Sequence, residues 1–209
     1  KQIFDRFRES NLKLHPKKCE FFFYLILYLG HFLSKNGVEV DQSKIETVKN
    51  YPTPKNLKTL RGFLGFAGFY RRFINKFADV ANPMYQLLKK DTPFIWNPEC
   101  ESAFQKLKNA LITAHILIFP DLQQEFVLIT DASKQAISYV LTQMDKDGIP
   151  HPISYGGRSL RSCEKNYTVT EIELLAVIEG IKQYHPYLAN KRFKVITDHI
   201  SLKYLKNLK

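Results

Sequence analysis

Two apolar stretches, Phe126–Thr130 (FVLIT) and Phe193–Thr197 (FKVIT), each run straight into an aspartate. They most constrain what this chain can fold into. Each is short, β-branched and bounded like a buried strand. Between them the spacing predicts a strong helix over about 169–185, with Glu173 on the turn before Leu174, Ala176 and Val177. Acids at the ends of neighbouring strands, joined by one from a packed helix, converge on a small volume. Three such carboxylates repel one another unless cations neutralise them. Hard oxygen ligands of this kind suit Mg²⁺, with Mn²⁺ as a substitute. Two ions held this way activate water and stabilise a leaving oxygen in phosphodiester hydrolysis. Taken singly, Asp131 and Asp198 also read as turn or cap residues, and Glu173 as a solvent-facing helix residue.

Around these acids the second half reads β-β-β-α-β-α. Strands are expected at Phe126–Thr130, Ile137–Gln143 and Ile153–Gly157, with Asp147-Gly148 as a turn, and a last helical stretch from Ser201. The first half reads differently. A helix is expected from the start to about Leu14, then strand material at about 21–29 and a turn at Asn36-Gly37. A helix capped by Asp41 or Ser43 follows, then one with Leu57, Leu60, Phe63, Leu64, Phe66, Ala67 and Tyr70 on a broad apolar face. Further helices cover about 75–89 and about 99–113, the latter opened by Asn97-Pro98 after a strand-like Phe94–Trp96. Pro120 breaks the chain near the change of texture, so the expected domains are 1–116 and 117–209. The fold class is α+β, then α/β with a mixed sheet.

Charge follows the same division. The net charge is +11, of which residues 1–116 carry +9 and residues 117–209 carry +2. Such an excess favours polyanions. Cys19, Cys100 and Cys163 are too far apart for a C-x-x-C site, which suits a reducing compartment. The longest apolar run, Phe21–Leu29, is about half the length of a membrane-spanning helix, so no membrane partner is expected. The chain opens with charged, helix-like KQIFDRFRES rather than Met or a signal peptide, and reads as an excerpt from something longer.

TDAS (130–133), the stretch from Tyr155 through Leu160, EKNYTVTEIELLAV (164–177) and TDHISLKYL (197–205) together resemble the ribonuclease H domain of gypsy-type LTR retrotransposons. Upstream, NLKLHPKKCEFF (11–22), YLGHFLS (28–34), TPKNLKTLRGFLGFAGFYRRFI (53–74) and FIWNPECESAFQKLKNAL (94–111) resemble the thumb and connection region of the same reverse transcriptases, in the same order. The resemblance implies that residues 1–116 are the end of the palm, the thumb and the connection, and that 117–209 are a ribonuclease H-like domain. It implies that Asp131, Glu173 and Asp198 are catalytic and bind metal, with Glu171 as a competing candidate in TEIEL. It further implies that Lys17, Lys18, Arg61, Arg71 and Arg72 contact phosphates of an RNA–DNA hybrid or template–primer duplex. The rest of the Pol polyprotein is the implied protein partner, and a virus-like particle, the cytoplasm or the nucleus the implied location.

The chain also departs from the family's pattern. It holds no adjacent Asp pair for a Y-x-D-D polymerase turn, and no acid follows Asp198 to supply the family's fourth ligand. The expectation is a C-terminally incomplete ribonuclease H with weak or no hydrolysis, no polymerase activity, or a catalytically silent remnant that binds nucleic acid or protein. Tyr139 stands where the family has a small residue, and Leu25 and Leu27 replace polar side chains on one strand face.

Overall fold

The computed structural model describes residues 1–19 and 23–202, apart from the Lys18 side chain. The expected helix from Ser201 and the start of the Phe21–Leu29 run therefore lie largely outside the described residues. Helix α1 (Gln2–Glu9) stops well before Leu14 because Asn11 takes a left-handed conformation (φ 51°) that breaks the turn.

Strands β1 (Leu25–Tyr28), β2 (His31–Ser34) and β3 (Gly37–Val40) form an antiparallel meander. The chain later comes back to its edge: Leu117 exchanges two backbone hydrogen bonds with Val38, at 2.8 and 3.0 Å. Only glycine fits beside that crossing, since a Cβ on Gly37 (φ 140°) would lie 2.1 Å from the Leu117 carbonyl oxygen. Leu25 and Leu27 are half exposed, so the apolar face read from the sequence is uncovered.

Helix α2 (Gln42–Lys49) is capped by Asp41, which accepts from the Ser43 N–H at 2.9 Å. Helix α3 (Leu57–Phe69) opens with an Asn56/Thr59 capping box. With α4 (Phe77–Gln86) and α5 (Pro98–Ile112) it encloses a core of Leu60, Phe63, Ala67, Met84, Phe104 and Leu107. Asn97 caps α5, with Pro98 in the first turn, as the sequence predicts. Phe94–Trp96 belongs to no strand among the described residues. Its aromatic rings pack directly on the helical core, and the Trp96 indole N–H donates to Glu101.

The second sheet has the order β6-β5-β4-β7, from β4 (Phe126–Ala132), β5 (Ala136–Met144), β6 (Pro150–Ser159) and β7 (Phe193–Ile196). Strand β7 runs parallel to β4 and the other pairs are antiparallel, giving the expected mixed sheet. Helix α6 (Val169–Gln183) buries Ile172, Ala176 and Gly180 against it, and the single turn α7 (His185–Leu188) follows.

The large Tyr139 fits because its neighbours are small. A Cβ on Gly156 would lie 2.3 Å from the Tyr139 ring, and one on Gly180 3.2 Å from the Tyr139 Cβ. The ring packs edge-on against Tyr184, which donates to the Ser154 carbonyl at 2.6 Å.

Candidate active site

Antiparallel pairing with β5 holds Asp131 opposite Ser138 near the end of β4. Parallel pairing of β4 with β7 brings the chain after Ile196 to the same sheet end, where Asp198 lies two residues beyond the strand. Helix α6 crosses this sheet with its buried stripe facing inward. Glu173 sits on that stripe beside Ile172, and only 5% of it is exposed.

Such burial is unusual for a carboxyl group. Glu173 Oε2 is sealed from solvent and has no hydrogen-bond partner. Burial pushes the Glu173 carboxyl up to about 7, and the negative charges of Asp198 and Asp131 add to the effect. A backbone hydrogen bond from Ala132 and the positive charge of Lys76 oppose it. The three acids predicted from the sequence are thus electrostatic neighbours from three separate elements. Glu171 is elsewhere: it is exposed and closes the capping box of α6, accepting from the Thr168 N–H at 2.7 Å. A cavity of about 190 Å³, lined by Ala132, Ser133, Lys134, Val169, Ile172 and Glu173, opens beside the buried acid.

Four neighbours of this site were not singled out from the sequence. Lys76, immediately before α4, places its Nζ 2.6 Å from Asp131 Oδ2, and this contact raises the affinity of the amine for its proton. Asp79, one turn further on, accepts a hydrogen bond from Ser133 Oγ. On the other side His199 Nε2 pairs with Thr170 Oγ1 at 2.8 Å, which fastens the segment after Asp198 to the first turn of α6. Lys76 and Asp79 lie more than 50 residues from their partners, so only the tertiary fold reveals them. Ser133 and His199 stand within the TDAS and TDH motifs, and proximity to the acids was the available signal.

The donor set is all oxygen, as a hard divalent cation requires. Among the described residues, however, no three His, Cys, Asp or Glu side chains are drawn together closely enough to hold an ion. The Lys76 ammonium lies against Asp131 instead. The orphaned Glu173 oxygen and the mutual repulsion of the acids still fit a cation.

The basic residues predicted to touch phosphate diverge. Arg61 and Lys17 are exposed. Arg71 donates from NH2 to the Gly157 carbonyl at 2.6 Å, joining the helical half to β6. Arg72 is half-buried over the Phe73 ring, and its Nε has no partner. The Lys18 side chain lies outside the described residues. A buried ion pair that the sequence reading missed braces the sheet against α6: Arg158 bonds Glu164 through both terminal nitrogens at 2.7 and 2.9 Å and reaches Glu179 at 3.4 Å. Arg158 holds the Glu164 carboxyl well below its usual range, at about 2.

Residues 96–195 match the family described as the RNase H-like domain found in reverse transcriptase. Over 204 residues the chain is 43% identical to the retrovirus-related Pol polyprotein from transposon 412 of Drosophila melanogaster, which covers 98% of this chain and 16% of that protein. It is 40% identical over 208 residues to the Pol polyprotein of transposon 297 from the same organism, covering 99% of this chain and 19% of that one. The Tf2-3 polyprotein of Schizosaccharomyces pombe is 33% identical over 204 residues, covering 97% and 15%. The chain thus spans less than a fifth of these relatives. Among solved structures, the foamy viral protease-reverse transcriptase in complex with double-stranded DNA superposes with a TM-score of 0.76 at 22% identity, over 99% of this chain and 36% of that one. The same viral protein in complex with an RNA/DNA hybrid gives 0.74 at 22%, over 91% and 26%. At that identity the likeness shows the fold.

Proposed function

Because the chain carries the RNase H-like domain of reverse transcriptases, within a segment homologous to retrotransposon Pol polyproteins, we propose that Asp131, Glu173 and Asp198 form the site of a divalent-metal-dependent nuclease acting on the RNA strand of RNA–DNA hybrids. The observation that carries this reading is the buried Glu173 carboxyl, its Oε2 without a hydrogen-bond partner, lying in the field of two strand-end aspartates. The Lys76 ammonium offsets only part of this repulsion, since the Glu173 carboxyl stays raised beside it, and a divalent cation would offset more. Asp131 and Asp198 would hold Mg²⁺ or Mn²⁺ together with Glu173, and the bound ion supplies activation of water and neutralisation of a phosphodiester's developing charge. The chain's own residues do the positioning. The β4–β7 pairing fixes the two aspartates, and the α6 stripe delivers Glu173. His199 tethers the Asp198 segment to the helix that carries Glu173.

In this reading residues 1–116 are the end of the palm, the thumb and the connection, and exposed Arg61 and Lys17 face the duplex. The foamy viral relatives of this fold hold double-stranded DNA and RNA/DNA hybrid, and a hybrid is the substrate proposed here. The test is a labelled RNA–DNA hybrid incubated with excess protein and Mn²⁺ or Mg²⁺. Slow cleavage of the RNA strand that needs the cation and disappears in Asp131→Asn supports the proposal. Cleavage equal in Asp131→Asn overturns the site, and absence of cleavage overturns the nuclease reading in favour of the catalytically silent remnant.

A further inference from the structure

The ammonium on Asp131 comes from the other half of the chain, from a residue with an unusual backbone conformation. Lys76 is the residue before α4 and takes a left-handed conformation, φ 52° and ψ 33°. That region is unfavourable for a long side chain and is occupied comfortably by glycine or asparagine. A lysine in this position aims its side chain away from the helix and onto Asp131 Oδ2, 2.6 Å away. One turn on, Asp79 accepts from Ser133, so α4 grips the end of β4 at two points. Asp198 adds to the field that holds the ammonium in place.

We propose that Lys76 is a tethered countercation which competes with the divalent metal for Asp131, so that the first half of the chain sets the metal affinity of the second. The inference rests on the metal-site reading given above. Its physical basis is simple. An ammonium 2.6 Å from Asp131 Oδ2 occupies one of the carboxylate's lone-pair directions and withdraws its charge, which makes the group a weaker ligand for a metal. A positive charge left nearby would also repel the incoming ion. The pair is about half exposed on the lysine side and a third on the aspartate side, so solvent screens it and the competition is moderate.

The test is direct Mn²⁺ binding by the full 209-residue chain, followed by loss of the free-ion electron paramagnetic resonance signal without nucleic acid. Lys76→Gly and Lys76→Asn remove the charge and suit the left-handed backbone, so both variants are expected to fold. Each should bind Mn²⁺ roughly three- to tenfold more tightly than the parent. Lys76→Arg, which keeps the charge, should not. Raising the ionic strength to about 1 M should shrink the gain. Asp131→Asn serves as the control on the site itself and should weaken binding. If Asp131→Asn weakens binding but neither neutral Lys76 variant tightens it, the countercation role is wrong and the metal site stands. A gain that Lys76→Arg shares, or that ignores salt, also overturns the role. If Asp131→Asn changes nothing, the metal-site reading fails and this inference falls with it.

Discussion

Replacing Glu173 by glutamine keeps the shape of the side chain and removes its charge, which should stabilise the metal-free chain at alkaline pH. The Glu173 carboxyl is raised from 4.5 to about 7, so the folded chain holds a proton there that the unfolded chain has already released. Stability from this group is therefore full below about pH 4.5 and is lost as pH rises through about 7. The whole difference corresponds to about 3 kcal/mol between the two protonation states. The Ala132 hydrogen bond and the Lys76 charge already offset part of the penalty, and the glutamine amide must itself find acceptors, so a net gain of about 1–2 kcal/mol is expected near pH 8. For a chain of this size that is a rise of about 3–6 °C in Tm. The assay is thermal unfolding of parent and Glu173→Gln in a chelator, from about pH 4 to pH 8. The advantage of the variant should be close to zero at the acid end and grow through the window between 4.5 and 7. Comparing the two proteins cancels other titrating groups, including Glu164, whose lowered carboxyl contributes stability that is lost as pH falls toward about 2. A difference that is independent of pH, or that favours the parent near pH 8, would refute the reasoning.

Arg158→Met strips Glu164 of its bidentate partner, leaving only the exposed Arg161 guanidinium 4.0 Å away, and should cost about 2–3 kcal/mol, seen as a fall in Tm; Glu164→Gln in the same background should recover part of it. Gly156→Ala drives a methyl group into the Tyr139 ring and should cost about 1–3 kcal/mol, with partial recovery when combined with Tyr139→Ala. Arg61→Ala should weaken hybrid binding and reduce its salt dependence by roughly one phosphate contact. Arg71→Ala should act mainly on Tm, because that guanidinium is bonded to the Gly157 carbonyl.

Much of the second sheet could be read from the chain because its signals are local. Apolar runs ending in Thr-Asp gave β4 and β7, and the apolar spacing around Leu174, Ala176 and Val177 gave α6; its Thr168–Glu171 capping box emerged from the structure. The E-L-x-A register of the family resemblance favours Glu173 over Glu171, and the structure separates the two physically: Glu171 caps the helix while Glu173 faces its core. What could not be read depends on contacts distant in sequence. Nothing near Lys76 announces Asp131, and nothing near Arg71 announces Gly157. Tyr139 looked like an obstacle until Gly156 and Gly180 were found across from it. Phe94–Trp96 has the composition of a strand but no strand beside it, so its rings serve the helical core. Exposure of Leu25 and Leu27 on β1 follows the substitution noted in the sequence.

Asp131, Glu173 and Asp198 are proposed to constitute one metal site. Anomalous diffraction from crystals of the chain grown in Mn²⁺ tests it most directly. The expected result is an anomalous peak at ligand distance from Asp131 and its acidic neighbours, with the Lys76 ammonium moved off the aspartate. A peak on other carboxylates, with Lys76 still bonded to Asp131 and no density beside Glu173, would contradict it.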